Sequence, residues 1–122
     1  MRFAAIPPEP DAALIGTDWI LDTITEGESA STPAAPANLL FGEDGTVTGN
    51  TGCNSLFGDY STDTGFGPIG STKMACEEPI MAQESLVLSI LGPEATLTIE
   101  GSRLTIADLS GNTLVYRVAE AG

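Results

Sequence analysis

The sequence predicts a mainly β fold: a small antiparallel β-barrel-like domain with one principal α-helix. Short segments in which apolar and polar residues alternate are separated by Gly, Pro, Asn and Asp, as in consecutive antiparallel strands. A single segment, roughly residues 78 to 91, has apolar residues at helical spacing instead. About four strands precede this helix and three follow it. Strands in this number can curl into a small barrel, which removes exposed sheet edges.

The chain begins with a predicted arm and then a strand. Three prolines and several alanines within residues 1–13 predict an N-terminal arm or linker, followed by a single domain over residues 14–120. In GTDWILDTIT, the side chains of Trp19, Leu21 and, less regularly, Thr23 alternate with their neighbours, which predicts the strand that opens the domain. We expect Trp19 in the core, with contact to a ligand as the alternative.

A loop and several hairpin signals follow the first strand. The polar, proline-containing segment EGESASTPAAPA, residues 26–37, predicts a loop, which we expect to be the most mobile part of the domain. In residues 38–54, the strand patterns LLF and TVT flank GEDG, where Asp44-Gly45 supplies a turn that tolerates positive φ. The stretch SLFGDYSTDTGFGPIGST continues with short apolar pieces and with turns at Asp63–Gly65 and Gly67-Pro68.

The segment CEEPIMAQESLVLSILG predicts the helix. Glu77, Glu78 and Pro79 suit a helix N-terminus, where acidic side chains complement the helix dipole and proline costs no hydrogen bond. Gly92-Pro93 predicts its end. Residues three or four positions apart, for the most part, form its predicted apolar face: Ile80, Glu84, Val87, Leu88 and Leu91.

Three strands are predicted after the helix, in ATLTIEG, SRLTIAD and NTLVYRVA. The turns between them are Glu100-Gly101 and the segment 110–112. Alternating positions of each strand are apolar: Leu97 and Ile99, Leu104 and Ile106, and Leu114, Tyr116 and Val118.

Composition and charge limit the possible partners. The 122 residues suffice for one domain with a core of its own. Seventeen acidic residues against four basic ones give a net charge of −13, so nucleic acid and anionic membrane surfaces are unfavourable partners. Such acidity favours solubility, with electrostatic steering of a cationic partner as the alternative. No apolar run approaches the roughly 20 residues of a membrane helix, so we expect no direct membrane span.

Several classes of chemistry are excluded by residue type. The sequence contains no histidine, which rules out the Ser-His-Asp triad, a Cys–His nucleophile pair and the commonest metal ligand. The two cysteines, Cys53 and Cys76, do not form a CxxC motif, and no phosphate-binding GxxxxGK loop is present. We therefore predict no cofactor and no bound transition metal.

Acidic side chains are abundant, so paired carboxylate chemistry stays open on numbers alone. Most of them occur in predicted loops or at the ends of elements, where a solvated carboxylate is the ordinary state. Asp59, Ser61 and Asp63 have the alternate spacing that opens a calcium loop. Thr64 stands where the turn glycine belongs and Gly70 where the bidentate glutamate belongs, so we predict a plain polar turn there.

Two side chains near the helix have more than one interpretation. Glu84 lies on the apolar face, where it could be a buried hydrogen-bonded anchor, a boundary residue in contact with water or a functional acid. We favour the anchor. Lys73 precedes Cys76 and could lower the pKa of its thiol, but Glu77 and Glu78 oppose that effect, so a structural cysteine is favoured over a reactive one.

Five stretches of the sequence together resemble the META domain, the HslJ-like family of small bacterial domains. They are GTDWIL, LLFGEDGTVTGNTGCNSLFGDY, IGSTKMAC, MAQESLVLSIL and LTIADLSGNTLVYRV, and the resemblance extends from about Gly16 to Val118. The pair formed by GCNSLFGDY and STKMAC is the specific part. The family pattern matches Trp19, Leu21, Gly49, Gly52, Cys53, Asn54, Gly58, Tyr60, Thr72, Met74, Ala75, Cys76 and Glu84.

The resemblance implies a β-barrel-like fold with a helix. It also implies a domain that is exported or lipid-anchored at the cell envelope. Members of the family are linked to stress response, antibiotic tolerance and, in parasites, virulence. It implies no enzymatic mechanism. We therefore expect a periplasmic or envelope-associated, non-catalytic domain that binds an unknown protein or small molecule. Its candidate surface is the region from GCN to MAC together with the neighbouring loops. One alternative is a protease inhibitor that presents the 26–37 loop, and another is a carboxylate-based hydrolase.

We predict that Cys53 and Cys76 form a structural disulfide. Neither has a catalytic base or a metal co-ligand in the sequence, and a bridge would fasten the start of the helix to a strand edge. Closing a loop of about 24 residues would stabilise the fold by roughly 3 to 3.5 kcal/mol on a chain-entropy model. Two buried thiols packed side by side in a reducing compartment are the alternative.

Overall fold

The computed structural model describes residues 12–61 and 65–119. The predicted arm up to residue 11 and most of the turn at Asp63–Gly65 lie outside these described residues. The described elements are β1 (Asp18–Glu26), β2 (Ser29–Ser31), β3 (Asn38–Phe41), β4 (Thr46–Asn50), β5 (Ser55–Ser61), β6 (Gly65–Phe66), β7 (Gly70–Ser71), α1 (Glu78–Ile90), β8 (Thr96–Glu100), β9 (Arg103–Ala107) and β10 (Asn112–Val118).

The strands form a nearly closed antiparallel barrel, so the predicted fold class is confirmed. Eight strands lie in the order β6-β5-β4-β3-β1-β10-β9-β8, while β2 pairs with β1 and β7 pairs with β5. The first strand is therefore central, because it lies between β3 and the last strand, β10. Three short strands, β2, β6 and β7, were not expected and lengthen the predicted series before the helix.

Alternate side chains of the strands fill the barrel interior. The largest fully buried side chains are Trp19, Tyr116, Phe41, Phe66, Leu39, Leu56, Ile90, Leu104, Ile106, Leu114, Val47 and Val87. The alternation shifts by one position in β1, where Leu21 pairs with Tyr116 but Thr23 pairs with Val115. This irregularity is a β-bulge, and it turns Ile24 rather than Thr23 into the core. The expectation for Thr23 was wrong for this reason.

Residues 12–16 cross the end of the barrel at which β1 begins. The Ala12 amide donates to the Gly101 carbonyl at 2.8 Å, and the Gly16 amide donates to the Phe41 carbonyl at 2.9 Å. Trp19 is fully buried, and its indole N–H donates to the Leu14 carbonyl at 3.2 Å. Trp19 is therefore a core residue, as expected, and it ties this segment to the interior.

Hairpin signals in the sequence were reliable. Gly45 has φ of +87° in the turn between β3 and β4, and the Asp44 carboxylate accepts hydrogen bonds from the Thr46 amide and hydroxyl. The 26–37 segment is less irregular than predicted, because Ser29–Ser31 pair with the end of β1. The Ala37 carbonyl also accepts a hydrogen bond from the Leu21 amide at 2.9 Å.

Helix α1 has nearly the predicted bounds. It begins after Glu77, with Pro79 in its first turn, and Leu91 is its C-terminal cap residue. Of the predicted apolar face, Ile80 and Leu88 are only half-buried. The side chains of the helix that are buried are Gln83, Glu84, Val87 and Ile90.

Candidate functional site

A disulfide joins Cys53 and Cys76, as the sequence predicted. The S–S distance is 2.00 Å and the Cα atoms are 6.0 Å apart. Cys53 lies in the turn between β4 and β5, and Cys76 lies two residues before α1. The bridge therefore fastens the start of the helix to one end of the barrel.

The side chain of Asn54 is the centre of the hydrogen-bond network beside the disulfide. Its Oδ1 accepts from the Met74 amide at 2.7 Å and from the Thr72 hydroxyl at 2.9 Å. Its Nδ2 donates to the Met74 carbonyl at 3.1 Å and to Oε1 of Glu84 at 2.8 Å. Asn54 thus pairs with both backbone groups of Met74, as a neighbouring strand would, and it uses its full hydrogen-bonding capacity.

Glu84 is a buried, hydrogen-bonded anchor, the favoured one of its three interpretations. The side chain is only 8% exposed, and its Oε1 also accepts from the Thr51 hydroxyl at 2.9 Å. The same hydroxyl oxygen accepts from the amides of Cys53 and Asn54 at 3.2 and 3.0 Å. Glu84 therefore connects the helix to the turn between β4 and β5. Each hydrogen-bond donor also compensates part of the cost of burying its carboxylate.

Gln83 extends the network to the 26–37 segment. Its Oε1 accepts from the Ala34 and Ala35 amides at 2.6 and 3.3 Å, and its Nε2 donates to the carbonyls of Thr51 and Ala35 at 2.8 and 3.0 Å. Thr51 and Gln83 were both missed in the sequence. Helical spacing could have identified Gln83, because it lies four positions before the buried Val87 and seven before Ile90.

We refer to these interacting residues as the latch: Thr51, Cys53, Asn54, Thr72, Met74, Cys76, Gln83 and Glu84. Two glycines of the family motif lie where neighbouring atoms leave no room for a side chain. Gly52 has φ of +107°, and a Cβ there would overlap the amide of Gln83. At Gly58 a Cβ would lie 2.7 Å from Cδ1 of Ile69 and 2.8 Å from the Pro68 carbonyl oxygen.

Other motif residues, among them Trp19, Gly58 and Tyr60, are not part of the latch. Tyr60 packs against two aromatic rings, with centroids 5.3 Å from Phe41 and 4.8 Å from Phe66. Partial burial raises the pKa of the Tyr60 hydroxyl. The motif therefore combines latch residues with residues that shape the barrel wall and core.

Tyr116 has an unusual environment inside the barrel. Its hydroxyl is fully buried and has no hydrogen-bond partner among the residues that the structure describes. Burial raises the pKa of this hydroxyl far above its ordinary value. Such a group lowers stability, because it loses its hydrogen bonds to water without compensation.

The chemistry of the latch is that of a scaffold. Its carboxylate and its amides are committed to one another and to backbone groups, and its cysteines are oxidised. Within residues 12–61 and 65–119, no group of three or more Cys, Asp or Glu side chains is arranged to hold a metal ion. The calcium-loop pattern cannot be placed, since Asp63 lies outside the described residues.

Fold and latch together define a small antiparallel β-barrel that carries one helix and a structural disulfide. The family model of the META domain matches residues 12–121. The chain therefore belongs to the META domain family. In the described part of the chain, no helix is long and apolar enough to cross a membrane.

Two solved structures share this fold. One is the NMR structure of a protein from Burkholderia xenovorans, with a TM-score of 0.72 and 23% sequence identity over 97% of this chain and 95% of that one. Another protein, also solved by NMR, has a TM-score of 0.65 and 20% identity over 84% of this chain and 88% of the other. A comparison with curated proteins finds no match.

Proposed function

We propose that this domain is a non-catalytic binding module of the cell envelope, which presents an apolar surface to a partner protein. One observation carries the proposal. Leu40, Thr48 and Phe57 face one another across β3, β4 and β5, and Leu40 and Phe57 are 40% and 51% exposed. Exposed apolar side chains in neighbouring positions are typical of interaction sites.

The latch holds a third exposed apolar side chain, that of Met74. Met74 is 62% exposed although Asn54 holds both of its backbone groups. The ring of Phe57 lies over Gly70, where a Cβ would come within 2.6 Å of it. We call Leu40, Phe57 and Met74 the outer apolar surface. Holding exposed apolar side chains on a fixed backbone lowers the entropy lost when a partner binds.

The envelope location is supported by the disulfide and by the family. Disulfides persist in oxidising compartments such as the periplasm and are rare in the cytosol. The contacts of Glu84 support the absence of catalysis. Among the described residues it is the one acidic side chain that is buried, and its carboxylate accepts hydrogen bonds from Thr51 and Asn54. A hydrolase of the carboxylate type needs two carboxyl groups facing a substrate cleft.

The test is capture of partners from an envelope extract by the immobilised domain. We expect the wild-type domain to retain a specific protein that the double variant Leu40→Ser/Phe57→Ser does not retain. Ile15→Ser is the matched control, because Ile15 is 49% exposed at one end of the barrel. Thermal melts show that each variant is folded. Equal capture by the double variant and the wild type would contradict the proposed surface.

A second candidate function, protease inhibition, is favoured by the contact between Gln83 and the 26–37 segment. An inhibitory loop must stay rigid in the protease cleft. The Gln83 side chain accepts hydrogen bonds from the amides of Ala34 and Ala35, and Ala34 is exposed to solvent. Incubation with a panel of proteases tests this candidate. Inhibition that is lost in Gln83→Ala, with cleavage within residues 32–36, would support it, and rapid cleavage of the wild-type loop without inhibition would exclude it.

A further inference from the structure

An uncharged groove lies between the β6–β7 region and the C-terminal end of α1. Its volume is about 400 Å³. The residues that line it are Phe66, Gly67, Pro68, Ile69, Leu88, Leu91, Gly92 and Pro93. In a chain with seventeen acidic residues, a groove of this size without a charged lining residue is distinctive.

The walls of the groove are held in place by the barrel. Phe66 is fully buried and packs against the rings of Phe41 and Tyr60. The two walls also approach each other at Gly65, where a Cβ would lie only 2.7 Å from the Pro93 carbonyl oxygen. The groove is therefore preformed, and a ligand entering it loses little free energy to reorganisation of the protein.

A second cleft, of about 240 Å³, adjoins the groove across Gly92 and Pro93. Glu94, Asp108 and the highly exposed Leu109 help to line it. The amides of Ser110 and Asn112 donate to the Asp108 carboxylate at 2.9 Å, and these bonds lower the pKa of Asp108. The Asp108 carboxylate is therefore charged at neutral pH.

The end of α1 adds to the negative potential of this second cleft. Ser89 and Ile90, in the last turn of the helix, are also lining residues. This turn contains no basic side chain, so none offsets the partial negative charge of the helix C-terminus. An apolar groove thus lies directly beside a cleft that attracts cations.

We propose that the groove and the acidic cleft form one docking site for a peptide segment in which apolar residues lie next to lysine or arginine. The apolar side chains occupy the groove, and the cation lies beside Glu94 and Asp108. Lysine and arginine suit such a boundary, since their aliphatic part covers apolar surface while the charged end stays in water. The net charge of −13 accelerates the encounter with such a segment. The site shares no residue with the outer apolar surface, and the proposal does not depend on that surface.

Fluorescence anisotropy with the labelled peptide Gly-Leu-Leu-Lys-Lys-Gly tests the proposal. Two matched peptides replace both leucines by serine or both lysines by glutamine. We expect each replacement to weaken binding at least about tenfold, because one removes the apolar contact and the other the charge. Equal binding by the serine peptide would overturn the proposed use of the groove. Absence of binding by the parent peptide at about 1 mM would overturn the site as a whole.

Protein variants distinguish this site from general attraction to an acidic surface. Glu94→Lys should weaken binding at least about tenfold, whereas Glu43→Lys, the same charge change in the β3–β4 turn, should weaken it less than about threefold. Equal effects of the two variants would overturn the proposal. Amide chemical shifts in the wild-type protein provide a second readout: perturbations confined to residues 66–69, 88–94 and 108–110 support it, and perturbations elsewhere contradict it.

Discussion

Replacement of Asn54 by alanine should be among the most damaging single changes in this domain. The variant removes one hydrogen bond to the Glu84 carboxylate, three to Thr72 and the backbone of Met74, and a weak contact of 3.4 Å from Nδ2 to the Cys53 sulfur. Neutral hydrogen bonds contribute about 1 kcal/mol each, and one to a charged group about 1.5 to 3 kcal/mol. Asn54 is 1% exposed, so water does not readily replace its contacts. We expect a loss of about 4.5 to 6 kcal/mol in the free energy of unfolding.

The isosteric variant Asn54→Asp adds a test by pH. It places a carboxylate oxygen where the amide nitrogen now lies, 2.8 Å from Glu84 Oε1 and 3.1 Å from the Met74 carbonyl oxygen. Burial and the neighbouring carboxylate raise the pKa of the introduced group in the folded state. Its penalty is therefore fully present above that raised pKa, and shrinks as the pH falls through it. We expect Asn54→Asp to be less stable than Asn54→Ala at pH 7 and to recover on acidification.

Urea denaturation followed by the fluorescence of Trp19 measures these differences. Trp19 is the sole tryptophan and is fully buried, so its emission reports the loss of the core. Asn38 is the control, because its side chain makes one exposed hydrogen bond to Asp18 at 3.1 Å. Asn38→Ala and Asn38→Asp should each lower the free energy of unfolding by less than about 1 kcal/mol. A similarly small cost for Asn54→Ala, or a cost for Asn54→Asp that is independent of pH, would refute the assigned role of Asn54.

Three further predictions concern stability. Cys53→Ser should lower the free energy of unfolding by about 3 kcal/mol in oxidising buffer, as seen in urea denaturation, and the difference from wild type should vanish when the bond to Cys76 is reduced. Tyr116→Phe should raise the melting temperature and stabilise by about 1 kcal/mol; a loss of stability would show that the hydroxyl has a partner. Hydrogen bonds from turn residues lower the pKa values of Asp44 and Asp108. Their stabilisation is present above the ordinary value of about 4 and is lost as the pH falls through the lowered values. Carboxyl ¹³C titration checks both groups, and midpoints at or above the ordinary value would contradict the turn contacts.

Strands and turns were predictable where their cause is local. Asp44-Gly45 forms its turn through the conformational freedom of glycine and a contact between Asp44 and Thr46. The bulge in β1 has a different origin. It depends on pairing with β10, which lies at the other end of the chain, so alternation within β1 alone wrongly directed Thr23 inward. The short strands β2 and β7 likewise form because β1 and β5 offer them partners.

The latch was predictable in part. The cysteine pair and the position of Glu84 on the helix followed from residue type and spacing. Gln83 could not be assigned its contacts, because its partners at Ala34 and Thr51 are 49 and 32 positions away in the sequence. The outer apolar surface depends in the same way on the register of β3, β4 and β5, which sets Leu40 and Phe57 on one row.

The pairing of β1 with β10 has a consequence for how the chain reaches its native state. Val118 lies opposite Trp19, and the Ala119 amide donates to the Asp18 carbonyl at 2.9 Å. A central strand therefore lacks one of its two neighbours until the C-terminal strand has left the ribosome. Contacts of such high sequence separation slow folding, because the loop-closure entropy is lost before the contacts form. The barrel can thus close only after β10 has been synthesised.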